Sequence, residues 1–302
     1  MITFDHDPKV TDALKNWRGK DVFPTDLGHA DLRGMARGIK RRAFFMARGT
    51  NAHFLQEGLE VIDGIISGKI NEATGRWRLM KKAKELGYDP ARGFPDDVAK
   101  VPPAERDSLQ DLSSERRLNL VLQTNLRMAY NYGKMLAGHQ PYALREYPAW
   151  ELVRLYPRTI ERGERRGAGG AVVPDPENGW PRRWAAAAES VSGWGVARGS
   201  RMVAAKLSGV WAALGDGAGG YTDTLDNPYP PFAFQSGMGW KAISRAEWAG
   251  LADDREPKTA LVKATLAPTP KTAEKVYRGL ADDMKAELAK ELADLDLEGV
   301  SL

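Results

Sequence analysis

The sequence predicts an α+β fold that is mainly α, with a helical N-terminal region, a compact α+β core built on a long central helix, and an acidic C-terminal helix. Three observations carry this reading. Apolar residues recur at helical spacing through 115–138, and the stripe is too long and regular for a strand. The composition turns to proline, glycine and charge over 88–106, the pattern of a loop or linker between domains. Beyond Pro148, helical spacing gives way to short apolar runs separated by Pro, Gly and Arg. The expected division is therefore a helical region over 1–106, a core domain over 107–251, and a linker with a C-terminal amphipathic helix over 252–302.

In chain order, Leu32, Met35, Ile39 and Phe45 predict a first helix with Asp31 as its cap. Asn51 is placed to cap a second helix, which carries Phe54, Leu55, Leu59, Ile62 and Ile66. A third runs from about Asn71 to Leu86 and stops at Gly87, with Pro90 beyond. The long helix follows, capped by Ser113 or Ser114. Its stripe is Leu118, Val121, Leu122, Met128, Ala129, Tyr132 and Leu136, and Gly138 and Pro141 close it. Trp150, Leu152 and Leu155 predict a short strand between Pro148 and Pro157. An exposed loop is expected over 162–181, a short helix over 203–214, and an ordered but irregular stretch over 227–240. Last, Val276, Leu280, Met284, Leu288 and Leu292 share one face of the acidic helix expected over 272–295.

Composition bounds the chemistry. There are 302 residues and no cysteine, so disulfides, thiolate metal sites and a cysteine nucleophile are excluded. Basic residues exceed acidic ones by 44 to 40, too small an excess to argue for nucleic acid by itself. The start of the chain carries acids among its apolar positions and forms no signal core, and no apolar run is long enough to cross a bilayer, so a cytoplasmic protein without membrane contact is expected. The four histidines, His6, His29, His53 and His139, include no pair at the spacing of a zinc motif. Gly215, Gly217 and Gly220 spell a G-x-G-x-x-G. A dinucleotide loop must follow a strand and open a helix, whereas this one follows an expected helix and runs into a turn. The cluster Gly167, Gly169 and Gly170 lacks the Lys-Ser/Thr ending of a P-loop. No serine stands in a nucleophile elbow and no carboxylate in an apolar run. No catalytic, cofactor-binding or metal residue is therefore expected.

Arginine pairs recur, among them Arg165-Arg166 and Arg182-Arg183, the latter between Trp180 and Trp184. Arginine interleaved with aromatics suits phosphate contact with stacking, which makes these four the expected DNA contacts if there are any. The alternative is solvated arginines beside core tryptophans, and the modest net charge favours it.

Three segments resemble the phage Mu F-like head-morphogenesis family, the minor head proteins of tailed bacteriophages. The first is Thr124-Asn125-Leu126-Arg127-Met128-Ala129-Tyr130 with Gly133-Lys134, on the long helix. The second holds Tyr147-Pro148-Ala149-Trp150 and Arg154, with Trp184 downstream. The third runs from Arg201 through Trp211 to Tyr229-Pro230-Pro231-Phe232 and Met238-Gly239-Trp240. The resemblance covers roughly 113–251, and the order and spacing of the strings carry it more than any one string does. Better-known members bear a Gly-Trp-Gly-Cys element where this chain has Ser236-Gly237-Met238-Gly239-Trp240, which makes it similar to a divergent branch.

The resemblance implies a non-catalytic part of the immature head, assembled in the bacterial cytoplasm and carried in the virion head. Its partners would be portal, capsid or scaffold proteins, and packaged DNA at most in addition. The acidic C-terminal helix is the expected contact with one of those proteins. Two other classes stand beside this reading: a DNA-binding virion protein, and an enzyme of nuclease or transferase-toxin type. For the motif residues themselves, Thr124 and Asn125 need hydrogen-bond partners within a strong helix, and Arg127 and Tyr130 are placed to reach another segment. Tyr229 and Phe232, held by Pro230 and Pro231, suit core packing ahead of a docking surface.

Overall fold

The structure, a computed structural model, describes residues 14–15, 17–28, 31–34, 43–95, 102–157, 160–197, 199–234 and 236–251. It is an α+β fold, mainly α. Two compact units part between Leu126 and Arg127, inside the longest helix. The parting does not fall at 106. The Pro-rich loop belongs to the first unit: Phe94 lies 5.5 Å from Phe54 and 4.9 Å from Tyr88, and the Tyr88 hydroxyl accepts from the Leu112 amide at 3.0 Å. Over its described residues, 88–95 and 102–106, the Pro-rich stretch holds no helix, and its aromatics fasten it to the helices beside it.

In the first unit, two short parallel strands, β1 (Asp21–Val22) and β2 (Ala43–Phe44), lie beside helices α1 (Ala52–Ile66) and α2 (Glu72–Glu85). Both helices begin where an asparagine can cap them. Asn51 accepts from the Phe54 amide at 3.0 Å and Asn71 from the Thr74 amide at 2.8 Å. Phe54, Leu55, Val61, Ile62 and Leu79 are buried with Leu118 and Leu122 of α3 (Glu115–Gly138). The Ser114 hydroxyl accepts from the Arg117 amide and opens α3. The expected first helix is not seen over the described residues: 31–34 is a single 3-10 turn and Ala43–Phe44 is strand, while Met35 and Ile39 lie outside the described residues. Phe44 and Met46 are buried between half-buried neighbours, the alternation of a strand, which four apolar residues spread over a long segment did not reveal.

The second unit is built on an antiparallel sheet of order β6-β3-β7, with β3 (Ala149–Arg154) between β6 (Val203–Ala205) and β7 (Met238–Ile243). Trp150 stands opposite Ala204 on one side and Ala242 on the other, and Leu152 stands opposite Trp240. The C-terminal half of α3, the short α4 (Pro141–Glu146), α5 (Trp180–Ser190), α6 (Val210–Asp216) and α7 (Arg245–Ala249) complete the unit. Three expectations need correction. Residues 162–181 hold a hairpin of β4 (Glu164–Arg166) and β5 (Val172–Pro174), and α5 already starts at Trp180. Residues 203–214 split into strand and helix, because all three residues of β6 are buried in the sheet and the helix starts only after Gly209. The irregular stretch ends at Gly237, where β7 begins, a strand whose apolar alternation Gly239 interrupts. The acidic C-terminal helix lies outside the described residues.

Candidate functional site

The residues that carry the motifs meet in one aromatic core of the second unit. Trp150 and Trp240, from adjacent strands, stack at 3.8 Å with their planes 9° apart. Trp211 of α6 meets them edge-on at 6.0 and 5.5 Å, and its indole N–H donates to the Ala205 carbonyl at 2.9 Å. Trp184 of α5 meets Trp211 at 5.4 Å, and Phe232 closes the group at 6.1 Å from Trp211 and 6.0 Å from Trp240. Edge-to-face and offset rings at such separations are favourable beyond the area they bury. Gly138 lets α3 approach this core, since a β-carbon there would fall 2.5 Å from the Trp150 ring.

The Tyr-Pro-Pro-Phe element is core. Phe232 is fully buried, and Tyr229 packs edge-on to Tyr132 of α3 at 5.7 Å. The bond between Pro230 and Pro231 is cis, and the buried Ser236 hydroxyl donates to the Pro231 carbonyl. On α3, Asn125 donates to the Val121 carbonyl one turn earlier at 2.8 Å, so its own helix satisfies it, and Thr124 is buried. Arg127 lies over the Tyr156 ring at 4.0 Å, whereas Tyr130 is 57% exposed. Arg154 donates to the Ser236 carbonyl at 3.0 Å and pairs with Glu161.

The four arginines expected to touch DNA do not act alike. Arg165 and Arg166 stand exposed on β4, and Arg182 is an exposed partner of Glu177 at 3.1 Å. Arg183 is only 4% exposed, because α5 turns it inward. There it pairs with Asp223 at 2.7 Å, donates to the Asn178 side chain at 2.6 Å and lies 4.1 Å from the Tyr221 ring centre. Arg162 takes the other Asp223 oxygen at 2.6 Å. Burial alone would raise the Asp223 pKa, but the Arg183 hydrogen bond and the two guanidinium charges outweigh it and hold the carboxyl below its ordinary value. Arg183 is therefore a structural cation and not a DNA contact.

A second buried cation was missing from the sequence reading. Lys206, 5% exposed, donates to the Gly138 carbonyl at 3.1 Å and the Ala143 carbonyl at 3.0 Å, and its ammonium lies 5.4 Å from the Trp150 ring. It thus serves the C-terminal ends of α3 and α4: the Gly138 carbonyl accepts from no backbone amide among the described residues, whereas the Ala143 carbonyl also takes the Tyr147 amide at 3.0 Å. Burial pushes its pKa down to about 8. Burial also lowers the pKa of His139, whose ring nitrogen lies 3.4 Å from the Lys206 carbonyl. Lys134 donates to the Trp240 carbonyl at 2.7 Å and so ties α3 to β7. A hint of Lys206 stood in the sequence, as a lone lysine closing the apolar run Val203-Ala204-Ala205. The Arg162–Asp223–Arg183 group left no local trace, because its members come from three distant segments.

The geometry is that of a well-filled scaffold. Gly217, the left-handed residue that ends α6 (φ 81°), puts the G-x-G-x-x-G string at a helix C-terminus, the wrong pole for a pyrophosphate. Among the described residues no group of three His, Asp or Glu side chains is placed to hold a metal ion. A depression on the first unit, lined by Arg48, Tyr88, Phe94 and Leu112 among others, is far smaller than the roughly 300–1,000 Å³ of an enclosed small-molecule pocket. No protein-family model, curated protein or solved structure matches the chain.

Proposed function

We propose that this chain is a minor head or head-morphogenesis protein of a tailed bacteriophage, a non-catalytic part that joins portal and capsid proteins during head assembly, DNA packaging or ejection. The observation that carries the reading is the convergence of the resembling strings. Trp150 of the second string and Trp211, Phe232 and Trp240, spread along the third, fill one core. Residues that share a core explain why a family would keep them in that order and spacing. Lys134, at the end of the first string, and Gly138, one turn further along α3, join the same core through Trp240 and Trp150.

The test is genetic. Disrupting the coding sequence in its phage should leave heads that fail to fill or to infect, as seen by electron microscopy and plaque counts, and a plasmid copy should restore both. Unchanged yields of filled, infective particles would overturn the reading. The exposed pair Arg165 and Arg166 favours DNA contact as the second reading. It requires duplex affinity that falls steeply with salt, and no binding at low salt would dismiss it.

A further inference from the structure

Helix α2 has two unlike faces. Gly75, Leu79 and Ala83 are buried in the first unit. The opposite face carries Ala73, Trp77, Met80, Lys81 and Lys84 within about one-third of the helix circumference, as their 3–4 spacing dictates. Trp77 is 60% exposed and Met80 43%. Lys81 lies 5.4 Å over the Trp77 ring and reaches Glu85 at 3.5 Å on the surface. The Lys84 ammonium makes no ion pair among the described residues. The helix dipole accounts for a lysine in the last turn, but not for tryptophan and methionine facing water one turn earlier.

We propose that this face is the seat of the chain's own acidic C-terminal segment, residues 272–302. Two features of that segment fit. Val276, Leu280, Met284, Leu288 and Leu292 recur every fourth residue and on a helix would form one apolar face winding through about 160°, broad enough to cover Ala73, Trp77 and Met80. Residues 272–302 hold eight acidic side chains against four basic ones, with the excess of acid lying beyond Gly279, and so complement Lys81 and Lys84 beside the exposed rings. A nucleic acid would answer the lysines and leave Met80 and the acidic stripe uncovered. The proposal does not rest on the phage reading.

The absence of cysteine allows a direct test in the full-length protein. Met80→Cys is combined, one at a time, with Leu280→Cys, Met284→Cys or Leu288→Cys, and mild oxidant is added. At least one pair should close a disulfide within the monomer, at a yield independent of protein concentration. By the effective concentration of a tethered pair, that yield should exceed by at least about tenfold the yield with Cys at the exposed Leu207 instead of Met80. Lys81→Glu with Lys84→Glu, or high salt, should lower it. Circular dichroism establishes that each variant is folded. No cross-link from any pair, or equal yield from the Leu207→Cys control, would overturn the proposal. So would cross-linked dimers alone, growing with concentration, since they would give the face to a second copy.

Discussion

At the scale of single residues, the buried cations set the sharpest expectations. Asp223 answers both Arg162 and Arg183, so Asp223→Ala strands guanidinium charge inside the second unit. Breaking a buried pair from one side costs about 3–5 kcal/mol. Asp223 is itself partly exposed, so the lower end of that range is expected in urea unfolding, with little loss from the surface change Arg182→Ala. Lys206 makes a pH prediction. Its folded pKa of about 8 lies below the ordinary 10.5, so between those values the unfolded chain binds more protons than the folded one. Stability therefore rises with pH across that window. Lys20, also lowered to about 8 by burial, adds to the same rise, so the readout is the difference between wild type and Lys206→Met. The variant should lose part of the rise. It should also be weaker by about 1–3 kcal/mol near pH 7, because the buried Gly138 carbonyl loses its donor while Ala143 keeps the Tyr147 amide. Identical slopes for the two proteins would show that Lys206 does not titrate as the fold requires.

At the scale of elements, helices with local signals were readable and elements defined by distant partners were not. Asn51 and Ser114 cap α1 and α3 where a cap is expected, and Asn71 caps α2 at its expected start, because capping is settled within three residues. Asn71→Ala should accordingly cost about 1 kcal/mol, measured by thermal unfolding. Strand β6 and the strand nature of Ala43–Phe44 escaped, since a run of two or three residues becomes a strand only through the neighbour it pairs with. The 88–106 loop reads as a linker by its prolines and as core by Phe94 and Tyr88, and packing wins. The site was half readable. The aromatic motif residues announced themselves by type and order, whereas Arg183 read as a surface cation because nothing near it in sequence reports Asp223. The sheet's own test is Trp240→Ala. It removes one ring of a stacked pair and should cost about 3–5 kcal/mol. The exciton signal of Trp150 and Trp240 in the far-ultraviolet circular dichroism should vanish with it.

At the scale of the whole molecule, two units share the long helix α3, and the motif strings fill the core of the second. In the second unit Trp150, Trp184, Trp211 and Trp240 are spent on packing, so any partner must be met by other surface. Removal of 272–302 should abolish incorporation into heads, and normal incorporation without it would dispose of any role for the acidic segment in assembly. The measurement that bears on the reading as a whole is quantitative mass spectrometry of purified particles from the encoding host, comparing immature with DNA-filled heads. The chain is expected at a few copies per particle beside portal and capsid proteins. Its absence from every particle, with abundant protein in the lysate, would contradict a head-protein role.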